Sequence, residues 1–257
     1  MGAAAGWRTV RNLSKRLVGV IAPRRTVKCR GVRFSMQFDN PITQYRLEDY
    51  SRREPETLDW IDRWVKDGDT FIDVGANVGA FSLYAAMRHP GVRVIALEPE
   101  YANLHLLRDN VMKNGLQDRV EVYAVALGKQ IGISYLHIQD ATPGAALHTE
   151  SKERLTTTRT HKPVIWREGV CTFTLDALCE ELQVTPQCLK IDVDGTEPEI
   201  LQGATRTLRA PVFRSLIVEM FGGPSVRASC GELLRAAGLR REWAAPETSE
   251  NELWVRT

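Results

Sequence analysis

Two carboxylates stand one residue apart in Lys190-Ile191-Asp192-Val193-Asp194-Gly195, just behind the apolar pair Cys188-Leu189. In an extended strand, residues two apart share a side, so Lys190, Asp192 and Asp194 would project together. A carboxylate within reach of a hydroxyl can take its proton while that oxygen forms a new bond. Asp192 and Asp194 are therefore the catalytic candidates, as base or as anchors of a hydroxyl-bearing acceptor. With Glu219 they could also hold a divalent ion, because hard cations take clustered carboxylates. The ion-free site is the preferred of the two. The structural alternative makes Lys190 an ion-pair partner and Glu197 and Glu199 acids at the positive end of a helix.

A second stretch has the chemistry of a nucleoside site. Thr70-Phe71-Ile72-Asp73-Val74 is a short apolar run, and Gly75-Ala76-Asn77-Val78-Gly79 a turn framed by glycines. The run reads as a buried strand and Ala80 to Met87 as a buried helix. Strand, glycine turn and helix make the first unit of a doubly wound α/β sheet, which binds ligands beyond the carboxyl ends of its strands. Gly75 and Gly79 would let backbone approach a ligand closely. Val92 to Glu98 reads as the next strand. Its terminal Glu98 lies about twenty residues past the turn, where an acid takes ribose hydroxyls. A dinucleotide fingerprint needs glycine where this chain has Asn77 and Ala80. Asp73 also places negative charge near any bound phosphate. Both features disfavour NAD and suit a nucleoside carrying an ammonium group, such as S-adenosylmethionine, with S-adenosylhomocysteine as product. The expected cofactor set is Asp73, Gly75, Asn77, Gly79 and Glu98. Val125 and Ala126 join it, at the end of a third strand expected from Val120 to Gly128, where they would border the adenine or fill core.

The segments Phe71 to Gly79, Leu97-Glu98-Pro99 and Leu189 to Glu197, with Thr174-Leu175-Asp176 ahead of the last, resemble the FkbM family of S-adenosylmethionine-dependent methyltransferases. The resemblance runs from about Gly68 to Glu219, with an echo at Asn251 to Val255. It implies a mostly parallel, seven-stranded sheet with helices on both faces. It also implies O-methylation of a hydroxyl on a sugar or small metabolite, and a leading segment that covers the mouth of the site, with Tyr45, Tyr50 and Arg53 near substrate.

Other elements must position these groups. Val27 to Phe38 alternates around Gly31 like a hairpin, and Asn40-Pro41 is a turn. Pro55 to Lys66 is an amphipathic helix with Leu58, Ile61, Trp64 and Val65 on one face. Tyr101 to Gly115 is a helix whose Leu104, Leu107, Val111 and Met112 should meet the sheet, ended by Gly115. Ile131 to Ile138 is strand-like. From about 139 to 169 periodicity disappears; this polar insert, holding His148 and His161, reads as a substrate lid or a surface loop. Either histidine could serve as base if the insert folds over the site. Val170 to Thr174 resumes as strand, Ile200 to Arg209 and Cys230 to Ala237 as helices, and Ser215 to Met220 as a fifth strand. An antiparallel pair from the tail would close the sheet. The organisation expected is a leading region, 1–66, and a methyltransferase domain, 67–257.

The first 33 residues carry nine Arg and Lys and no acid, with Trp7, Val10, Leu13, Leu17 and Ile21 at helical spacing. A helix packed on the domain, a membrane-surface helix and a targeting sequence all fit that pattern. A net charge of +2 is too small to argue for nucleic acid, and no basic-aromatic interleaving suggests single-strand binding. Five cysteines without close pairs or metal-ligand spacing point to reduced thiols and a cytoplasmic setting, with peripheral membrane contact through the basic end as an option. Two rival functions remain at this level: a nucleotide-dependent oxidoreductase, and a non-catalytic nucleoside-binding module on the same fold.

Overall fold

The computed structural model describes residues 23–48, 50–244 and 250–256, without the side chains of 53 and 244. The basic stretch from Trp7 to Ile21 lies outside the described residues, as does the Arg53 side chain.

A hairpin, β1 (Arg24–Cys29) and β2 (Val32–Gln37), comes first. Three helices follow: α1 (Pro41–Glu48), α2 (Tyr50–Arg53) and α3 (Pro55–Trp64). Helix α1 was not anticipated. Asn40-Pro41 is its start signal: the Asn40 side chain accepts from the Ile42 and Thr43 amides, and proline needs no such partner at a first helical position.

The main sheet has seven strands: β3 (Thr70–Val74), β4 (Arg93–Leu97), β5 (Val120–Tyr123), β10 (Cys188–Ile191), β11 (Ser215–Glu219), β12 (Leu239–Ala244) and β13 (Asn251–Arg256). Their order is β12-β13-β11-β10-β3-β4-β5. The inner contacts are parallel, and β13 runs antiparallel to both β11 and β12. The order reverses between β3 and β10, the switch point where such sheets open a crevice.

Both faces are covered because each central strand alternates two apolar sides. Phe71, Val94, Ala96, Cys188 and Ile217 join one core with α3, α4 (Ala80–Arg88), α5 (Tyr101–Lys113) and the hairpin's Val27, Phe34 and Met36. Ile72, Val74, Ile95, Leu189, Ile191 and Val218 join the other, under α6 (Leu175–Glu181), α7 (Glu197–Gln202), α8 (Thr205–Arg209) and α9 (Pro224–Ala236).

Several boundaries differ from those read in the sequence. On α5 the buried residues include Asn103, Leu106 and Asn110, whereas Met112 is exposed. Asn110 is buried because its side chain binds backbone, donating to the Val78 carbonyl and accepting from the Gln37 amide. The helix expected over 200–209 breaks at Gly203, where a Cβ would lie 2.3 Å from the Gly128 carbonyl oxygen. Helix α9 starts earlier than expected, at Pro224.

The third strand ends at Tyr123. The chain then leaves the main sheet to form β6 (Ala126–Leu127), β7 (Gly132–Ile138), β8 (Thr149–Ser151) and β9 (Trp166–Phe173), a second sheet of order β6-β9-β7-β8. The stretch that lacked periodicity therefore contains β8 and the start of β9. Short strands with mixed exposure carry too few residues for alternation to register.

Candidate functional site

The strand ends at the switch point open onto a cavity of about 210 Å³ bordered by Arg46, Glu54, Glu98, Asp192, Asp194 and Glu219. A smaller cavity, about 50 Å³, adjoins it and is walled by Pro99, Val125, Ala126, Leu127 and Leu136. The two share Gly75, Pro99, Leu136, His148 and Val193.

Glu98 directly follows β4 and is buried. Its Oε2 accepts from the Asn77 amide at 2.8 Å and its Oε1 from the Glu100 amide at 2.9 Å. Burial pushes its pKa up to about 7 against the pull of those two bonds. Asn77 holds the left-handed conformation at φ 51°, which short polar side chains tolerate.

Asp192 follows β10. Lys190, in the strand, is 3% exposed and donates to Asp192 at 2.8 Å. Although burial opposes ionisation, the Lys190 ammonium leads the effects that hold the Asp192 carboxyl below its ordinary pKa. Asp194 lies beyond a bend; its φ is 62° and Gly195 follows at 118°. Strand alternation therefore places Asp192 but not Asp194. Asp194 accepts from the Leu147 amide at 2.7 Å, and burial, then the Asp192 charge, raises its pKa to about 6. Glu219, from the end of β11, brings an oxygen within 4.8 Å of oxygens of both aspartates. Burial and the Asp192 charge raise it to about 10, so it keeps its proton beside ionised Asp192. These three residues form the set that could hold a metal ion.

Asp73 was expected at the cofactor but faces the core. It is 1% exposed, accepts from Ser82 Oγ at 2.6 Å, and lies 3.8 Å from Lys190 Nζ. The cause is register: Asp73 and Lys190 are paired positions of β3 and β10, so their side chains meet on the α4 side of the sheet. The glycines also serve the chain itself. A Cβ on Gly75 would sit 1.8 Å from the Asp192 carbonyl oxygen, and one on Gly79 2.4 Å from Leu107 Cδ1. Gly75 borders both cavities; Gly79 borders neither and precedes α4 at φ 87°. Val125 and Ala126 line the smaller cavity, from just before and at the start of β6 rather than the end of β5.

The insert does fold over the site. Its strap, 143–147, is tied on every side. Ala145 O accepts from Asn77 Nδ2 and Asn103 Nδ2, Gly144 O accepts from Arg46 Nε at 2.7 Å, and Pro143 O accepts from Asn40 Nδ2. His148 borders both cavities, whereas His161 borders neither. Within the leading segment, Tyr50 is a core residue that donates to the Ala80 carbonyl, and Tyr45 is 59% exposed and borders neither cavity. Arg46 and Glu54 are the members of that segment at the cleft, and no spacing rule in the sequence singled them out.

The family model for the FkbM methyltransferase domain matches residues 73–236. The chain belongs to the FkbM methyltransferase family. It is 27% identical to 31-O-demethyl-FK506 methyltransferase FkbM of Streptomyces tacrolimicus over 197 residues, covering 68% of this chain and 74% of that protein. With methyltransferase sdnD of Sordaria araneosa it shares 26% identity over 208 residues, 69% and 78% of the two chains. The crystal structure of methyltransferase FkbM from Methylobacillus flagellatus KT superposes with a TM-score of 0.51 at 16% identity, over 85% of this chain and 55% of that one. The FkbM assignment makes the chain a methyltransferase on a Rossmann-like class I fold. Among the described residues no helix is long and apolar enough to cross a membrane. Cys29, Cys179, Cys188 and Cys230 are buried free thiols, and Cys171 is an exposed one.

Proposed function

We propose that this FkbM methyltransferase transfers a methyl group from S-adenosylmethionine to a hydroxyl oxygen of a sugar or small metabolite. The observation that carries the proposal is the meeting, across one cavity, of Glu98 at the end of β4 with Asp192, Asp194 and Glu219 at the ends of β10 and β11. The residues suit the cofactor. In this reading Glu98 takes the ribose hydroxyls and the apolar smaller cavity takes the base. The acidic trio faces the side where the ammonium and sulfur would lie. Bound there, S-adenosylmethionine supplies a methyl group on positively charged sulfur.

The chain's own part is orientation and proton handling. Lys190 keeps Asp192 ionised, so Asp192 can hold an acceptor hydroxyl by charge-assisted hydrogen bonding. Asp194, with a pKa of about 6, is largely ionised at neutral pH and still basic enough to receive the hydroxyl proton. The relative that acts on 31-O-demethyl-FK506, by its name, supports oxygen as the accepting atom.

The test is calorimetric titration with S-adenosylmethionine, S-adenosylhomocysteine and NAD. Binding of the first two alone is expected and would open an acceptor screen among hydroxylated compounds. Binding of NAD alone would sink the proposal.

A further inference from the structure

The cleft holds an imidazole to which the chemistry above gives no task. Both ring nitrogens of His148 are buried and neither has a hydrogen-bond partner. Its surroundings make that unusual, because the strap just before it is pinned through Pro143, Gly144, Ala145 and Leu147. Buried polar atoms in folded proteins are paired as a rule, so an unpaired one calls for a partner from outside the chain. Burial lowers the His148 pKa, which keeps the imidazole neutral, with one donor and one acceptor nitrogen.

Its position limits what the partner can be. Leu147 is left-handed, at φ 65°, and its amide is fixed on Asp194. The next side chain, His148, thereby lies on the border between the Glu98 cavity and the smaller apolar one. Pro99, Val125, Ala126, Leu127 and Leu136 give the smaller cavity walls suited to a flat heterocycle; Glu150 and Thr196 are its other polar members.

We infer that His148 accepts a hydrogen bond from the exocyclic amino group of the cofactor's adenine, so that the insert, and not the strand ends alone, selects the nucleoside. This rests on the S-adenosylmethionine assignment. A ring nitrogen whose lone pair is otherwise unused accepts, the amino group donates, and the opposite imidazole nitrogen carries the proton.

The experiment compares S-adenosylhomocysteine with its 6-deamino analogue, in which hydrogen replaces the amino group, by calorimetry on the full chain. The wild-type chain should bind the analogue about three- to tenfold more weakly, the range of one hydrogen bond. His148→Phe should bind both with equal affinity, and His148→Gln, which keeps an acceptor, should retain part of the preference. The wild-type arm alone is decisive, whatever the variants do to folding: equal affinity for the two ligands overturns the inference and leaves the cofactor assignment intact. A preference that survives unchanged in His148→Phe overturns it as well. Failure of the wild-type chain to bind S-adenosylhomocysteine removes both.

Discussion

At the scale of single residues the site is a set of carboxyls held at different protonation states by their neighbours. Asp192 is ionised by Lys190, Asp194 titrates near pH 6, and Glu219 retains its proton. Pushing neighbouring acids apart in this way is how one pocket obtains both an anchor and a base. Asp194→Asn separates charge from structure, because asparagine also tolerates φ 62° and can still accept from the Leu147 amide. Turnover should fall by about 10²–10⁴ with cofactor affinity little changed. A loss of affinity with turnover preserved would move Asp194 into the cofactor site. Glu98→Ala should do the reverse. Ribose hydrogen bonds to a charged group are worth roughly 1.5–3 kcal/mol each, so affinity should drop about tenfold or more. The Asn77 and Glu100 amides also lose their acceptor, so the melting temperature should fall too. Unchanged affinity would place the ribose elsewhere.

Elements explain which of these residues could be found in the sequence and which could not. The strand ends were legible because a buried parallel strand, a glycine turn and a terminal acid are local patterns. Glu98 and Asp192 follow from them and border the cleft; Asp194 borders it too, but through the bend at its positive φ and not through strand alternation. Asp73 fits the same pattern yet faces the core, because its orientation depends on the Lys190 paired with it across the sheet, a fact of register. The strap was invisible for a related reason. Its hydrogen bonds run to Asn40, Arg46, Asn77 and Asn103, residues about forty to a hundred positions away. Together these bonds hold the strap across the two adjoining cavities. The Gly75 seam is tighter. Gly75→Ala would force a Cβ against the Asp192 carbonyl in a left-handed backbone at φ 77°, and β10 would have to withdraw from β3. A loss of at least about 2 kcal/mol is expected in denaturant unfolding. Wild-type stability in that variant would mean that the Gly75 backbone does not pack against the Asp192 carbonyl.

The whole molecule carries the electrostatic cost of gathering acids at one edge of its sheet. Burial leads the shifts at Glu98 and Glu197, each raised to about 7, and at Asp194, raised to about 6. In the unfolded chain these groups titrate near 4. Between those values the folded state binds more protons than the unfolded state, so folding becomes less favourable as pH rises through the window. The stability these groups contribute is fully present below pH 4 and lost by about pH 8. His148 acts the other way, because its lowered pKa makes the folded state reluctant to take up a proton below pH 6.5. With these three acids and Glu219, itself raised to about 10, against one histidine, and allowing for solvent reaching the cleft, the ligand-free chain should gain at least about 2 kcal/mol between pH 8 and pH 5.5. For a chain of this size that is a rise in melting temperature of about 4–8 °C, measurable by calorimetry across a buffer series. The same series with saturating S-adenosylhomocysteine should be flatter, since an ammonium beside Asp192 and Asp194 favours their ionised forms and offsets part of the repulsion. Ligand stabilisation should therefore be larger at pH 8 than at pH 5.5. A melting temperature that falls steadily from pH 8 to 5.5 in the ligand-free chain would mean that these carboxyls are solvated, and that the cleft stands open without its ligand.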